Sequence, residues 1–292
     1  MTGMFAWFVE PLQLYGFMRV GIVTAAVVGV TCAVLSCLLV VRGQALLGDA
    51  ISHAVLFGVV VGYLIGGDVG VPVGALVVAV AAGMAIVWVA RNAPFQADTA
   101  MGVVFSVLFA LGLALFAVFQ PRNIDVFHVL FGNILGVRTG DLWFSAAVGV
   151  VVLGVIVGGL RAFMFWSFDP EGAAATGMRT ARMEYLFTAL LSAAIVGALR
   201  TVGIILVIAL LIIPGAAAAF VTVRLATMML VAAAIGVGSG VGGLYVSYYA
   251  NVPSGAAIVL FAGAIFFAVF LVAPRGVIRR RRVVLQDDRS HL

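Results

Sequence analysis

The sequence predicts an all-α fold: a polytopic integral membrane helix bundle with about eight to nine transmembrane helices. Three observations carry that expectation. Hydrophobic residues make up 65% of the 292-residue chain and charged residues only 9%, whereas roughly a quarter of a soluble domain is charged. Mean hydropathy is +1.27. The apolar runs also have the right length, because a helix of about 20 apolar residues crosses the hydrocarbon core and lipid then replaces water as the solvent.

Runs bounded by charges or Pro/Gly clusters place spans near 17–41, 50–66, 72–90, 101–119, 142–165, 184–199, 202–222, 226–249 and 255–273, within one transmembrane domain over 1–292. Residues 1–16, rich in aromatics and broken by Pro11, read as an interfacial helix. The basic tail over 275–292 contains Arg279 to Arg282, which marks a cytoplasmic segment. Counting back from that tail puts Arg224, the 166–183 segment, Arg91 and Arg42 inside, and Arg122, Arg138 and Arg200 at the outer face. Residues 120–141 hold an apolar stretch too short to cross, which suits a re-entrant or interfacial helix. Pro214 interrupts an apolar run, predicting a kink or gate whose freed carbonyl needs another partner. The run GVGSGVGGLYVSYY at 236–249 offers a small-residue face for close helix packing.

Composition also excludes functions. All 16 basic residues are arginine. A phosphate-binding P-loop needs a lysine on the β and γ phosphates, so ATP has to be handled by another subunit. The net charge of +5 comes from arginines scattered between apolar runs, the pattern of membrane-protein loops and not of a nucleic-acid surface. Cys32 and Cys37 lie within one apolar run and read as small buried hydrophobes. No cleavable signal peptide is expected, because the first apolar stretch lacks a basic leader.

Asp49 and His53, in LLGDAISHAVLFGV, are the residues a lipid-facing helix should lack. Ionisable groups in a span face the bundle interior or water and are functional candidates. At i and i+4 they share a helical face, where a carboxylate and an imidazole can hold one divalent cation. Two ligands are too few for a settled site. A second copy about a twofold axis would supply two Asp and two His, an oxygen and nitrogen set suited to manganese, zinc or iron. The competing explanation makes Asp49 an N-cap to Ile51 or Ser52, with His53 hydrogen-bonded to it. Asp125 and His128 read as solvated loop charge or as ion guides, and His291 as tail.

FDPEGAAATGM, at 168–178, is the largest polar interruption. Asp169 can cap a short helix with Pro170 at its first position and Glu171 in its first turn, and Gly177 can end it. Such a preformed surface helix can receive motion from a soluble ATPase.

Five stretches together resemble the ABC-3 permeases of manganese, zinc and iron importers: LLGDAISHAVLFGV, LFGNILGV (130–137), FDPEGAAATGM, VGIILVIALLIIPGAAAAF (202–220) and GLYVSYYANVPSGAAIVLFAGAIFFAVFLVAPRG (243–276). The resemblance implies a type II ABC importer-like fold in the bacterial inner membrane. It implies a homodimeric permease without an ATPase site of its own, paired with two ATP-binding subunits and an extracytoplasmic metal-binding protein. It assigns metal ligation to Asp49 and His53, and ATPase coupling to Asp169, Pro170, Glu171 and Gly177. No permanently bound cofactor is expected; the metal is cargo, with manganese ranked ahead of zinc and iron. Phe57 departs from the family, which often has proline there, and predicts a straighter helix. The alternative is a secondary, proton-coupled metal transporter in which Asp49 and His53 relay protons.

Overall fold

A computed structural model describes residues 15–119, 132 and 134–273. The described chain is helical throughout, in the order α1 (Gly16–Val41), α2 (Ala45–Asn92), α3 (Ala97–Phe119), a 3-10 turn (Ile134–Gly136), α4 (Thr139–Gly158), α5 (Leu160–Phe168), α6 (Pro170–Ala175), α7 (Thr180–Val221), α8 (Leu225–Ala250) and α9 (Ser254–Val272). Seven of these are long and apolar enough to cross a membrane. Most of the 120–141 segment, including Asp125 and His128, lies outside the described residues, as do residues 1–14 and the basic tail from 274.

Two long helices are double passes. At 48 residues α2 would run about 72 Å if straight, more than twice the thickness of a hydrocarbon core. It breaks at Gly66 and Gly67, where Gly67 takes φ +59°, a conformation that costs a glycine little. The halves then fold back on each other. Gly58 meets Gly74 and Gly62 meets Gly70 backbone to backbone, and a Cβ on Gly58 would sit 2.5 Å from the Gly74 carbonyl oxygen. In α7 the break falls at Gly203, with φ +76°. Glu184 near its start pairs with Arg42, Arg200 at the far end of the first half pairs with Asp141, and Gly215 in the second half returns to Ser36, close to Arg42 in sequence. So the seven long helices make nine apolar passes among the described residues. Their positions follow the nine runs read from the sequence within a few residues, with two main differences: α2 begins at Ala45 and not near residue 50, and the run at 142–165 is divided at Gly159 into α4 and the separate short α5.

Helix α1 is the most enclosed of the long helices, and it packs against α7 and α8. Small residues set the spacing. Gly29 of α1 lies against Gly236 of α8, and Ala25 against Gly240, so the predicted small face at 236–249 is a packing face. Farther along α8, Gly242 and Gly243 admit Phe261 and Ile258 of α9. At the periphery, α3 buries only Ala100, Met101 and Gly112 and packs mainly on α2.

Around Pro214 the backbone stays helical, and the irregularity is bridged from outside. Ser36 of α1 donates to the Ile212 carbonyl at 3.2 Å and accepts from the Gly215 N–H at 2.9 Å. One hydroxyl thus serves groups on both sides of the proline, as lipid demands.

Gly62→Val should lower stability by about 1–3 kcal/mol through overpacking of the α2 hairpin. Gly154→Val, where a Cβ meets nothing, should not. Thermal unfolding of the two purified variants in the same detergent checks the contrast.

Candidate metal site

The geometry begins with where α2 starts. Its first residue is Ala45 and its N-cap is Gln44, so Asp49 lies a full turn inside the helix. The capping explanation for Asp49 therefore fails: the groups it would have capped are already in the helical ladder. The side chains meet instead. His53 Nε2 lies 3.2 Å from Asp49 Oδ1, a separation that two donors at about 2.1 Å from one ion adopt.

The surroundings hold the imidazole in place. Phe105 and Phe109, one turn apart on α3, set their ring centroids 5.2 and 5.4 Å from that of His53. They lie 5.8 Å from each other. Buried Nδ1 of His53 has no hydrogen-bond partner among the described residues. Behind the pair, the Ser52 hydroxyl donates to the Gly48 carbonyl, and Leu211 of the second half of α7 packs against Gly48. The helix is continuous through Phe57, as expected without the family's proline, and its backbone packs against Gly112 of α3.

What this arrangement can do is limited by count and by exposure. No group of three or more His, Cys, Asp or Glu gathers among the described residues. The side chains of His53 and Asp49 are 24% and 36% exposed, so one face of the pair is open to ligands from beyond this chain. Neither cysteine contributes, since both are buried in α1.

The other predicted residues form a separate element. Asp169 accepts from the Gly172 N–H at 2.8 Å, Pro170 opens α6 and Glu171 lies in its first turn. Gly177, at φ +86°, follows the last turn, where the Met178 N–H reaches the Ala173 carbonyl and the Gly177 N–H the Ala174 carbonyl. A side chain at Gly172 would strike the capping carboxylate. Pro214 belongs to the helix that supports Gly48 and does not reach the metal pair itself. Phe105 and Phe109 are the residues that sequence reasoning passed over. Their one signal is an i, i+4 aromatic spacing, on a span that also carries Phe116 and Phe119.

Residues 14–273 match the model of the ABC 3 transport family. The chain is 42% identical to the manganese transport system membrane protein MntC of Halalkalibacterium halodurans over 275 residues, 94% of each chain. It is 39% identical to a probable iron transport system membrane protein of Haemophilus influenzae, over 90% of this chain and 96% of the other. Among solved structures, PsaBC from Streptococcus pneumoniae in complex with Fab superposes with a TM-score of 0.83 at 36% identity, covering 95% of this chain and 98% of that one.

Phe105→Ala and Phe109→Ala should loosen the imidazole and weaken divalent-metal binding by about 10–100-fold, the usual cost of losing a group that orients a ligand. Titration of the purified protein with Mn2+, followed by electron paramagnetic resonance of the free ion, measures the change.

Proposed function

Because the chain belongs to the ABC 3 transport family, a multi-pass membrane protein of the bacterial plasma membrane, we propose that it is the permease of an ATP-driven importer of a divalent transition metal, Mn2+ first. The observation that carries this is the Asp49–His53 pair, two donors 3.2 Å apart and partly open on a membrane-spanning helix. A carboxylate with an imidazole suits manganese, iron or zinc and suits copper(I) poorly. The relatives named for manganese and iron agree with that donor set.

Two copies of the chain face each other about a twofold axis, and each supplies Asp49 and His53 to one transit site. Coordination shared between two subunits can be assembled and undone, which a transit site needs in order to release its ion. The ion arrives from an extracytoplasmic metal-binding protein at the end carrying Arg200 and Asp141. It leaves at the opposite end, which carries Arg42, Arg91, Arg179, Arg182 and Arg224 and is cytoplasmic by its arginine content.

Energy comes from two ATP-binding subunits, since this chain has no lysine with which to build a P-loop. They dock on α6, whose Asp169 cap, Pro170 start and Gly177 end form the short helix without help from a partner. ATP binding and hydrolysis move α6, and the bundle alternates between outward and inward openings.

Asp49→Ala and His53→Ala should abolish Mn2+ uptake in proteoliposomes while leaving co-purification with the ATPase intact. Asp169→Ala should cost the short helix about 1 kcal/mol and reduce ATPase association, with metal binding unchanged. Uptake by the permease alone, driven by a proton gradient, would overturn the proposal in favour of a secondary transporter.

A further inference from the structure

Three separate segments meet at one carboxylate at the arginine-rich end, and a fourth joins them through Arg42. Glu184, in the first turns of α7, forms an ion pair with Arg42 Nη2 at 3.7 Å and accepts a hydrogen bond from Arg91 Nη1 at 3.1 Å. Arg42 follows the last residue of α1 and lies in the link Arg42–Gly43–Gln44 that leads into α2, while Arg91 belongs to the last turn of α2. A single carboxylate therefore ties both ends of the α2 hairpin, the element that carries Asp49 and His53, to the start of α7.

Arg42 also reaches α5. Its Nη1 donates to the Trp166 carbonyl at 3.3 Å, its guanidinium lies 3.8 Å from the centroid of the Trp166 ring, and its Nε donates to Gln44 Oε1 at 3.3 Å. Trp166 is only 1% exposed and is wedged between Phe163 and Phe187. It lies within a turn of Asp169, the cap of α6. The Arg42 side chain is 13% exposed, and Glu184 compensates its partly buried charge. Burial pushes the guanidinium pKa down and Glu184 opposes that shift.

This is more than a surface ion pair. Exposed pairs contribute little, whereas here a planar guanidinium stacks on an indole, forks to a carbonyl and meets a shared carboxylate, a combination that lysine cannot reproduce. Movement of α6 must drag α5, and α5 holds Trp166 against Arg42, which precedes the start of α2 and its Asp49 by a short link.

We propose that Arg42 and Glu184 form the joint through which displacement of the ATPase-facing helix α6 is passed to the Asp49–His53 pair, with Arg42 as a positioning residue for metal transport. The inference rests on the reading of α6 as the ATPase contact. Neither residue touches the ion. The joint sets where the start of α2 stands when α6 moves.

The test uses the permease with its ATPase in proteoliposomes, reading Mn2+ uptake and ATP hydrolysis in the same vesicles and Mn2+ binding at equilibrium. R42K and E184Q should assemble and hydrolyse ATP at the wild-type rate and bind Mn2+ normally. Mn2+ moved per ATP should fall about tenfold, within the range usual for coupling between sites. R42K keeps the charge, so rescue of coupling by lysine would reduce Arg42 to an electrostatic anchor and overturn the joint. Unchanged coupling in both variants, or uptake and hydrolysis falling in equal proportion, would overturn it too. Should E184Q fail to assemble, R42K and R91Q leave Glu184 in place and carry the same outcomes. Wild-type uptake without any ATPase would overturn the parent reading and the joint together, whereas ATPase-dependent uptake with intact coupling in R42K would sink the joint alone.

Discussion

Lipid offers no hydrogen bonds, so every backbone amide within the bilayer must be satisfied by the protein, and the rest of this structure follows from that demand. The passes are helices, and within the two double-pass helices the chain reverses at glycines, at Gly66–Gly67 in α2 and Gly203 in α7. Within a pass, a side chain adds hydrogen bonds beside Pro214, where Ser36 donates to the Ile212 carbonyl and accepts from the Gly215 N–H. Many buried hydroxyls obey the same rule, although those of Ser167, Thr188 and Ser239 find no partner among the described residues. Thr24, Thr31 and Ser52 each donate to a carbonyl one turn back and bring no unpaired donor into the core.

A second consequence concerns how the passes hold together. Lipid is as apolar as leucine, so helices associate through close contact and not through burial of apolar surface from water. The α2 hairpin closes on Gly58, Gly62, Gly70 and Gly74, and α1 meets α8 through Ala25, Gly29, Gly236 and Gly240. Against these tight seams α3 stands out, since it buries few residues and yet supplies the two phenylalanines that border His53. The Asp49–His53 pair therefore lies on a closely packed hairpin, with the most exposed long helix of the bundle against it.

How far the sequence revealed this depends on the range of each signal. Apolar runs are local, and they located the passes closely. So did the i, i+4 spacing that put Asp49 beside His53 and the Asp-Pro-Glu and Gly signals that bounded α6. The start of α2 was misplaced because Gly48 and Asp49 resemble a cap. The true first turn, Ala45 to Leu47, is apolar and continues smoothly into the run that follows. The division at Gly159 was hidden because α4 and α5 are both apolar on either side of it. Phe105, Phe109 and the carboxylate shared by Arg42 and Arg91 were beyond reach for another reason. Each depends on which passes become neighbours, and hydropathy carries no information about that.

Helix geometry constrains how an ion held by Asp49 and His53 could be let go. Both side chains sit on one uninterrupted helical stretch, one turn apart, so the helix fixes the spacing of their backbone positions and leaves only side-chain rotation between them. The larger change open to the site is in the relation between the pair and whatever would complete its coordination on the open face. On the proposed reading, a permease built this way would switch by moving the hairpin as a unit, with its two ends, where Arg42 and Arg91 meet Glu184, as the handles for that movement.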